Sequence, residues 1–334
     1  MNLWYRSKTS TNVILAVTGG TGFIGRELVR QAVGRGDSVK LLTRREVRPT
    51  PRVTRFRGDI TTGVGLAEAF RGADVVLHAA GLAHQHSATV PGDFAVVNAE
   101  ACSRVLRVAG ECGVARAVLL SSVSVYGGTD PGTVADEARI PTPRSPYGDS
   151  KLRGETAAAS EAARAGIALR VLRLATVFGA EDPGNVVRLI RAIHRRRFIH
   201  IGNGMTRKSL IHRTDAARAC LAAADDAAES TQYFNVVGGT YTVNEIASTI
   251  STILDVPLVA LRIPNALAAA VSLALRGVPG RGNRIAGSIE RWRSDEAYSG
   301  RAFELAYGFR SSVGLHDGLA QEIEWYLRDL ASAA

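Results

Sequence analysis

The amino-acid sequence predicts an α/β protein, with a doubly wound parallel sheet followed by a smaller C-terminal lobe. Three observations lead to this prediction: short apolar runs recur along the chain, helix-like segments separate them, and a glycine-rich turn follows the first run. The apolar runs lie at 13–17, 38–42, 74–79, 117–121 and 168–174. Helix-like segments such as 94–110 and 147–165 lie between them. Strands and helices that alternate in this way form a parallel sheet joined by crossover helices.

Composition is ordinary for a folded protein and bounds the number of domains. The 334 residues are 46% hydrophobic and 22% charged, which is typical of globular chains. Glycine and proline become more frequent after about residue 180, so we expect one domain at 1–180 and a lobe at 181–334, with segments that return to the main sheet. The apolar run at 266–275 ends at Arg276 and is too short to span a bilayer. We expect it to be a helix that packs in the core or faces a partner.

Charge and cysteine content narrow the class of protein further. The net charge of +10 suggests a nucleic-acid partner, but the basic residues are mostly dispersed and no nucleic-acid-binding motif accompanies them. One basic cluster has helical spacing and is either a solvated helix face or a funnel for anionic substrates; it comprises Arg191, Arg195, Arg196 and Arg197. Residues 1–11 lack an export signal, and three cysteines form no disulfide framework, which indicates a cytoplasmic location. No metal site is predicted.

The most informative motif is the glycine-rich turn at 18–25, directly after the first apolar run. Gly19 permits a tight turn, Gly22 lets the backbone approach a phosphate, and Gly25 lets the next helix pack against the strand. The N-terminus of that helix then presents N–H groups to an anion. The turn therefore predicts a binding site for a dinucleotide diphosphate, as in the Rossmann fold.

The end of the second strand indicates which dinucleotide binds. A carboxylate at this place hydrogen-bonds the ribose 2′-hydroxyl, whereas an arginine accommodates a 2′-phosphate. Here Arg44 and Arg45 precede the first carboxylate, Glu46, so NADP(H) is favoured over NAD. The alternative is that both arginines are ordinary surface residues. Further on, Asp59 and Ile60 follow a short strand, where Asp59 can lie beside the adenine amino group.

Tyr147 and Lys151 form the strongest catalytic motif. They are four residues apart on a predicted helix and therefore share one face. A phenol is a weak base at neutral pH, but a neighbouring ammonium and an oxidised nicotinamide both favour the phenolate. Upstream, the strand at 117–121 runs into a loop that contains Ser122 and Ser124. Loops at this end of a strand bind ligands in open α/β sheets.

With these motifs assembled, the chain resembles the extended short-chain dehydrogenase/reductase family, and within it the nucleotide-sugar epimerases, dehydratases and ketoreductases. The likeness covers nearly the whole chain. It rests on motifs at 18–25, 59–60, 78–81, 98, 121–127, 147–151, 173–179, 183–185, 201–204, 211–212, 294–295 and 308–309. It implies that 1–180 binds the dinucleotide and that 181–334 binds the substrate.

The resemblance also implies a role for each matched residue. Tyr147 is the expected acid/base, Lys151 holds the ribose, and Ser122 hydrogen-bonds the reacting oxygen. The expected cofactor-binding residues are Gly19, Gly22, Phe23, Ile24, Gly25, Arg44, Arg45, Asp59, Ile60, Ala79, Ala80, Gly81, Tyr147 and Lys151. The expected substrate-binding residues are Ser124, Asn185, Lys208 with its neighbour Arg207, and Arg284. Asn98 is expected to join helix and strand without touching a ligand.

Departures from the family pattern indicate which of the family's reactions are disfavoured. Sugar dehydratases of the family carry an Asp-Glu pair after the active-site hydroxyl residue, and Val123 and Ser124 stand there instead, which disfavours elimination. His84 stands where well-studied epimerases carry a lysine that grips the cofactor phosphate. Arg173 is followed by leucine and not by the more usual proline. His84 and His86 lie near the expected substrate entrance, either as substrate contacts or as exposed loop residues.

Three functional hypotheses follow. The leading one is an NADP(H)-dependent reductase of a nucleotide-linked 4-keto-hexose. The second is a nucleotide-hexose 4-epimerase with bound NAD, and the third is a non-catalytic dinucleotide-binding subunit, which the joint presence of Ser122, Tyr147 and Lys151 disfavours. The resemblance further implies a nucleotide-sugar substrate, no nucleic acid, no membrane span and a homodimer formed through the helices at 94–110 and 147–165.

Overall fold

The structure is a computed structural model that describes residues 12–82, 93–259, 261–276, 278 and 281–332. The chain divides into two compact units that interleave along the sequence. The first unit comprises the residues up to 121 together with 150–172 and 217–233, and the second comprises 122–149, 173–216 and 234–334. The sequence predicts a boundary near residue 180 with segments that return to the main sheet, and the chain passes between the two units several times.

The strands of the described residues form three sheets. In chain order the strands are β1 (Ile14–Thr18), β2 (Ser38–Thr43), β3 (Val53–Arg57), β4 (Val75–His78), β5 (Arg116–Ser122), β6 (Ala168–Leu174), β7 (Thr176–Phe178), β8 (His200–Ile201), β9 (Arg207–His212), β10 (Gln232–Val236), β11 (Gly239–Thr242) and β12 (Arg262–Ile263). The large sheet has the order β10-β6-β5-β4-β1-β2-β3, and the smaller sheets are β11-β9-β7 and β12-β8.

Helices join these strands. They are α1 (Phe23–Gly34), α2 (Leu66–Phe70), α3 (Asp93–Ala95), α4 (Ala101–Glu111), α5 (Pro146–Ala165), α6 (Asn185–His194), α7 (Arg213–Ala224), α8 (Val243–Leu254), α9 (Asn265–Arg276), α10 (Arg281–Arg293), α11 (Arg301–Tyr307) and α12 (Leu315–Ser332). A π-helical turn, Val96–Glu100, precedes α4, and a 3₁₀ turn, Val123–Tyr126, follows β5. Among the described helices, none combines the length and the hydropathy that crossing a bilayer requires.

The core of the first unit explains why the apolar runs become strands. β1 pairs in parallel with both β2 and β4, so that Ala16 lies between Lys40 and Val76. A parallel strand with helices on both faces is buried on both sides and is therefore almost continuously apolar. Accordingly, every residue of β4 is buried. This sheet confirms the doubly wound α/β fold that the sequence predicts.

The second unit has its own core, built on α6, α8 and α12. Ile190, Ile250 and Ile323 are among its buried members. Thr242 and Glu245 form a reciprocal capping box at the start of α8, an arrangement that satisfies two helix N–H groups. These contacts give the unit a packed interior that supports the loops on its β7 and β9 strands.

Candidate active site

The glycine-rich turn joins β1 to α1. Gly19 has a φ of +75°, a conformation that favours glycine, and its carbonyl accepts the Gly22 N–H over 2.9 Å. A Cβ on Gly25 would lie 2.1 Å from the Gly19 carbonyl oxygen, so the start of α1 can pack this closely only with glycine there. Gly22 has no side chain that could cap α1, and the first turn, which begins with Phe23 and Ile24, carries no acidic residue. Such a helix N-terminus fits a dinucleotide diphosphate.

The loop after β4 lies directly against this turn. A Cβ on Gly19 would approach the Ala80 backbone nitrogen to 2.3 Å, and the Ala79 N–H donates to the Thr18 carbonyl over 3.0 Å. The Thr18 hydroxyl and His78 Nδ1 are 2.6 Å apart. Burial, with a smaller contribution from the charge of Lys151, lowers the pKa of His78 to about 3. His78 is therefore neutral at physiological pH and ties the ends of β1 and β4 together.

Asn98 fixes the far side of the same loop. Its side chain accepts the Leu82 N–H over 2.8 Å and donates to the Leu82 carbonyl over 2.9 Å. Its amide also donates to the Ser150 hydroxyl over 3.0 Å. A Cβ on Gly154 would lie 2.1 Å from the Asn98 carbonyl oxygen. Because glycine has no Cβ, α5 can pack closely against Asn98 here. Asn98 therefore joins the loop after β4 to α5.

The end of β2 carries the arginines that are expected to read the ribose. Arg44 is 75% exposed, and its guanidinium lies 3.5 Å from the Asp59 carboxylate. Asp59 also accepts hydrogen bonds from the backbone N–H and the hydroxyl of Thr61, over 2.8 and 2.7 Å. Burial acts in the opposite direction, but the Thr61 bonds and the Arg44 charge leave the pKa of Asp59 below its usual value. The structure thus brings two of the predicted residues together.

The first carboxylate that follows β2 in the sequence is Glu46, and it is paired with another residue. Arg45 is exposed, and Glu46 pairs with Arg55 of β3. The Ile60 carbonyl accepts a hydrogen bond from Arg104 of α4 over 3.1 Å. A 2′-phosphate at this strand end would therefore lie near Arg44 and Arg45 and would compete with the Asp59 carboxylate for Arg44.

Lys151 lies on α5 and faces the interior of the first unit. Its ammonium donates to the Leu120 carbonyl over 3.0 Å, and a Cβ on Gly81 would lie 3.0 Å from the same ammonium. Glu155, one turn later on α5, accepts the Ser121 hydroxyl over 2.5 Å. Two contacts therefore hold α5 to the carboxyl end of β5, and Lys151 lies beside the loop at 79–81.

The serine loop and Tyr147 belong to the second unit. Ser122 caps the 3₁₀ turn: its hydroxyl accepts the Ser124 N–H and donates to the Ser124 hydroxyl, both over 3.1 Å. Tyr147 is half-buried in the first turn of α5. The next residue, Gly148, packs this turn on the loop, because a Cβ there would lie 2.4 Å from the Ser124 carbonyl oxygen. Tyr147 and Lys151 lie one turn apart on α5, as the sequence predicts.

A buried network that the sequence did not reveal supports the serine loop. The Tyr126 hydroxyl donates to the Asn235 side-chain oxygen over 2.9 Å and accepts from the Arg173 guanidinium over 2.8 Å. Arg173 also lies 5.0 Å from the centroid of the Tyr126 ring, and Tyr298 stacks on that ring with centroids 5.4 Å apart. Burial raises the pKa of Tyr126, so its hydroxyl remains a hydrogen-bonding group. The sequence motif at 173–179 does not predict this role for Arg173.

A pocket in the second unit brings Asn185 and Lys208 together. It is also lined by Thr176, Val186, Leu210, Ile246, Trp292 and Glu296. Lys208 is buried; its ammonium lies 3.3 Å from the Glu296 carboxylate and donates to the Ser294 carbonyl over 2.6 Å. Arg207 is half-buried and pairs with Asp295, with 3.1 Å between nitrogen and oxygen. Both predicted cations therefore have acidic partners, which the sequence did not predict.

An acidic pair fixes the segment that leads to Asn185. Asp182 accepts the Gly184 N–H over 2.7 Å, and Glu322 of α12 accepts the Gly179 N–H over 2.8 Å. Burial raises the pKa of Asp182 to about 6. Burial and the nearby charge of Asp182 raise the pKa of Glu322. Both carboxyl groups therefore have a pKa above the usual carboxyl range.

Three predicted residues lie wholly or partly outside the part of the chain that the structure describes. Arg284 lies on α10, but its side chain is outside the described residues. His84 and His86 also lie outside them. In the described part of the chain, no group of three or more histidine, cysteine or carboxylate side chains could hold a metal ion.

The chain is similar in sequence and in structure to known proteins. A sequence model of the NAD dependent epimerase/dehydratase family matches residues 15–237. The solved structure of MoeE5 in complex with UDP-glucuronic acid and NAD is 29% identical, superimposes with a TM-score of 0.76, and is matched over 94% of this chain and 99% of that one.

Two curated relatives illustrate the range of reactions. A dTDP-glucose 4,6-dehydratase of Streptomyces griseus is 27% identical over 331 residues, which cover 93% of each protein. A ketoreductase of Stigmatella aurantiaca that acts on a farnesylated dihydroquinoline oxide is 29% identical over 226 residues, 65% of this chain and 66% of that protein. Against an uncharacterised protein of Sinorhizobium fredii, the match spans 52% of the relative's length. The dehydratase and the ketoreductase thus act on different substrates.

Proposed function

We propose that this chain, which belongs to the NAD dependent epimerase/dehydratase family, is an NAD(P)-dependent oxidoreductase. It acts at C4 of a nucleotide-linked hexose and works as a 4-ketoreductase. The observation that carries the proposal is the position of Tyr147 and Lys151 one turn apart on α5, with the Lys151 ammonium bound to the Leu120 carbonyl. When bound, the dinucleotide supplies the hydride. A binding-only subunit would not need this pair of side chains.

The residues of this chain handle the proton. In reduction, the Tyr147 hydroxyl donates its proton to the oxygen of the keto group, and the Lys151 ammonium favours the phenolate that remains. The Ser122 hydroxyl, which in the structure donates to Ser124, rotates to donate to the same oxygen. Positioned donors stabilise the negative charge that develops there.

The composition of the serine loop argues against elimination. A dehydratase needs an acid and a base close to the sugar carbon that loses water. The 3₁₀ turn that follows Ser122 contains no carboxylate, and its first residue, Val123, is buried. Ser124 supplies only a hydroxyl. These features support a ketoreductase or an epimerase, although one relative is a dehydratase.

The arginines after β2 support NADP(H) as the cofactor. In the sequence, Arg44 and Arg45 precede the first acidic residue after β2, which is Glu46. The Glu46 carboxylate pairs with Arg55. Guanidinium groups bind phosphate in a bidentate manner. MoeE5 holds NAD, and the alternative cofactor is therefore NAD.

The pocket of the second unit supports a substrate with a diphosphate and a nucleoside. Asn185 lies at the start of α6, and Lys208 and Arg207 lie next to each other on β9. Apolar residues such as Trp292 and Ile246 line the same pocket. A diphosphate that displaced Glu296 from Lys208 would gain a buried cation as its partner.

Incubation of the purified protein with NADPH and a panel of UDP- and dTDP-linked 4-keto-hexoses tests this proposal. We expect NADPH oxidation, followed by absorbance, with at least one sugar, and loss of about 10²–10⁴-fold in kcat for Tyr147→Phe. Tyr307→Phe is the matched control, because the Tyr307 ring packs on Phe303 and keeps this contact as phenylalanine. Full turnover by Tyr147→Phe would show that another group donates the proton.

The epimerase alternative makes a different prediction about the cofactor. An epimerase returns its hydride to the sugar, so it retains NAD through purification and interconverts UDP-hexoses without net NADPH consumption. Extraction of the bound dinucleotide and chromatography of the sugar products distinguish the two reactions. Tightly bound NAD with sugar interconversion would replace the ketoreductase assignment by the epimerase.

A further inference from the structure

The helix α9 exposes an unusual amount of apolar surface. Its residues between Asn265 and Arg276 are all apolar except Ser272, which is buried. Leu267, Val271 and Leu273 are 53%, 41% and 70% exposed. A contiguous exposed apolar patch on a folded protein marks an interaction surface.

The packing of α9 against α10 explains why these side chains face outward. Small residues fill the contact between the helices: Ala268 and Ser272 on α9, and Gly282 and Ala286 on α10, are buried. The Ser272 hydroxyl donates to the Ala286 carbonyl over 3.3 Å. A Cβ on Gly282 would lie 2.8 Å from the Leu275 carbonyl oxygen. The two helices therefore form a hairpin in which Leu267, Val271 and Leu273 remain exposed.

The exposed apolar residues continue across the hairpin. Val278, in the connection, is 51% exposed, and Ile285, on α10, is 44% exposed. With Leu267, Val271 and Leu273 they make up what we call the hairpin face. Five of the large hydrophobic residues that are exposed in the described chain thus lie within 19 consecutive positions, 267–285.

The same segment is strongly basic in sequence. Residues 262–293 contain six arginines, no lysine or aspartate, and one glutamate. This stretch carries +5, half of the net charge of +10, in about a tenth of the chain. Apolar residues beside arginines, within a short helix, are the pattern of segments that lie in the interface of an anionic membrane.

We infer that the α9–α10 hairpin docks this protein on the surface of an anionic phospholipid bilayer, with the hairpin face in contact with the acyl boundary and the positive charge of the segment 262–293 attracted by the acidic headgroups. Charge decides between this occupant and a second copy of the chain, because two hairpins placed face to face would bring like charges together. A bilayer surface rich in acidic lipids supplies opposite charge and accepts apolar side chains at the same time. This inference does not depend on the proposed reaction.

Co-sedimentation of the full-length protein with vesicles tests the inference. Vesicles of phosphatidylcholine with an equimolar amount of phosphatidylglycerol are compared with vesicles of pure phosphatidylcholine, at low and at physiological salt. We expect binding to the anionic vesicles that weakens with salt, and at least about tenfold weaker binding to the neutral ones. The double variant Leu267→Ser/Leu273→Ser should lower binding to anionic vesicles at least about tenfold.

A matched control uses exposed apolar residues elsewhere. Ile140 and Leu305 are 79% and 74% exposed, so Ile140→Ser/Leu305→Ser removes similar apolar surface and should leave vesicle binding unchanged. Arg276→Gln and Arg281→Gln should each weaken binding to anionic vesicles by about fivefold. Circular dichroism of each variant shows that it remains folded.

Several results would overturn the inference. One is the absence of sedimentation with either vesicle, and another is equal loss of binding in the hairpin variant and the Ile140/Leu305 control. A third is a change of oligomeric state in the hairpin variant, measured by analytical ultracentrifugation, without vesicle binding by the wild type. That outcome would make the hairpin face an interface between copies of this chain.

Discussion

Replacing Gly19 by alanine tests whether the turn after β1 is as tight as the structure indicates. Gly19 has a φ of +75°, and an added Cβ would lie 2.3 Å from the Ala80 nitrogen. Contact at van der Waals distance begins near 3.4 Å, so the loop at 79–81 would have to move by about 1 Å. Because this loop also contacts Lys151, the displacement would reach α5, the helix that carries Lys151 and Tyr147.

Two further glycines provide matched controls for the size of the effect. Gly72 has a φ of +68° with nothing within 4 Å of an added Cβ, and Gly34 has an equally open position without the positive φ. We expect Gly34→Ala to be neutral or to stabilise by up to ~1 kcal/mol. Gly72→Ala should cost about 1–2 kcal/mol, the conformational penalty alone. Gly19→Ala should cost that amount and a further ~1–3 kcal/mol for the steric displacement.

Urea unfolding of the three variants measures these free energies, and titration with NADPH measures dinucleotide affinity. We expect Gly19→Ala to bind NADPH at least about tenfold more weakly than the wild type, whereas the two control variants bind normally. The reasoning would be refuted if Gly19→Ala were no less stable than Gly72→Ala and bound NADPH as the wild type does.

Three other predictions concern pH, the serine loop and the cofactor. The pKa of His78 is near 6.5 in the unfolded chain and about 3 in the folded protein. Between these two pH values the unfolded state binds one more proton than the folded state. The free energy of unfolding should therefore fall as pH is lowered through this window, by up to about 1.4 kcal/mol per pH unit. Urea midpoints measured against pH should show a shallower dependence for His78→Gln. Arg173→Met removes a buried donor from the Tyr126 hydroxyl and should destabilise the protein by about 1–3 kcal/mol, measured by urea unfolding; an unchanged midpoint would count against the network. Arg44→Ala should weaken NADPH binding several-fold and leave NADH binding unchanged in titrations, and equal loss for both dinucleotides would argue that Arg44 does not contact a 2′-phosphate.

Much of the fold and part of the site could be read from local sequence signals. The apolar run at 13–17 became β1 of the parallel sheet, because such a strand is covered on both faces and needs apolar residues throughout. The spacing of Tyr147 and Lys151 places them on one face of a helix as soon as α5 forms. The roles of these residues in binding and catalysis remain predictions.

The electrostatic partners within the site could not be read in the same way. Lys208 was expected as a contact for a diphosphate, and the structure pairs it with Glu296, 88 positions later in the chain. Tyr126 and Asn235 meet from similarly distant positions. No periodic pattern marks such pairs, because they depend on which strands and loops become neighbours in the folded chain.

The sequence by itself therefore determined the elements and the turn: apolar periodicity selects strands and helices, and glycines at 18–25 permit one particular backbone path. The tertiary structure decided which charges are neutralised, as for Lys208 and Arg207, and which buried polar groups support the serine loop. It also decided that α9 has an exposed apolar face, since buried small residues such as Ala268, Ser272 and Ala286 lie at its contact with α10. The physical reason is the same in each case: burial and pairing are properties of neighbours in space, whereas periodicity is a property of neighbours along the chain.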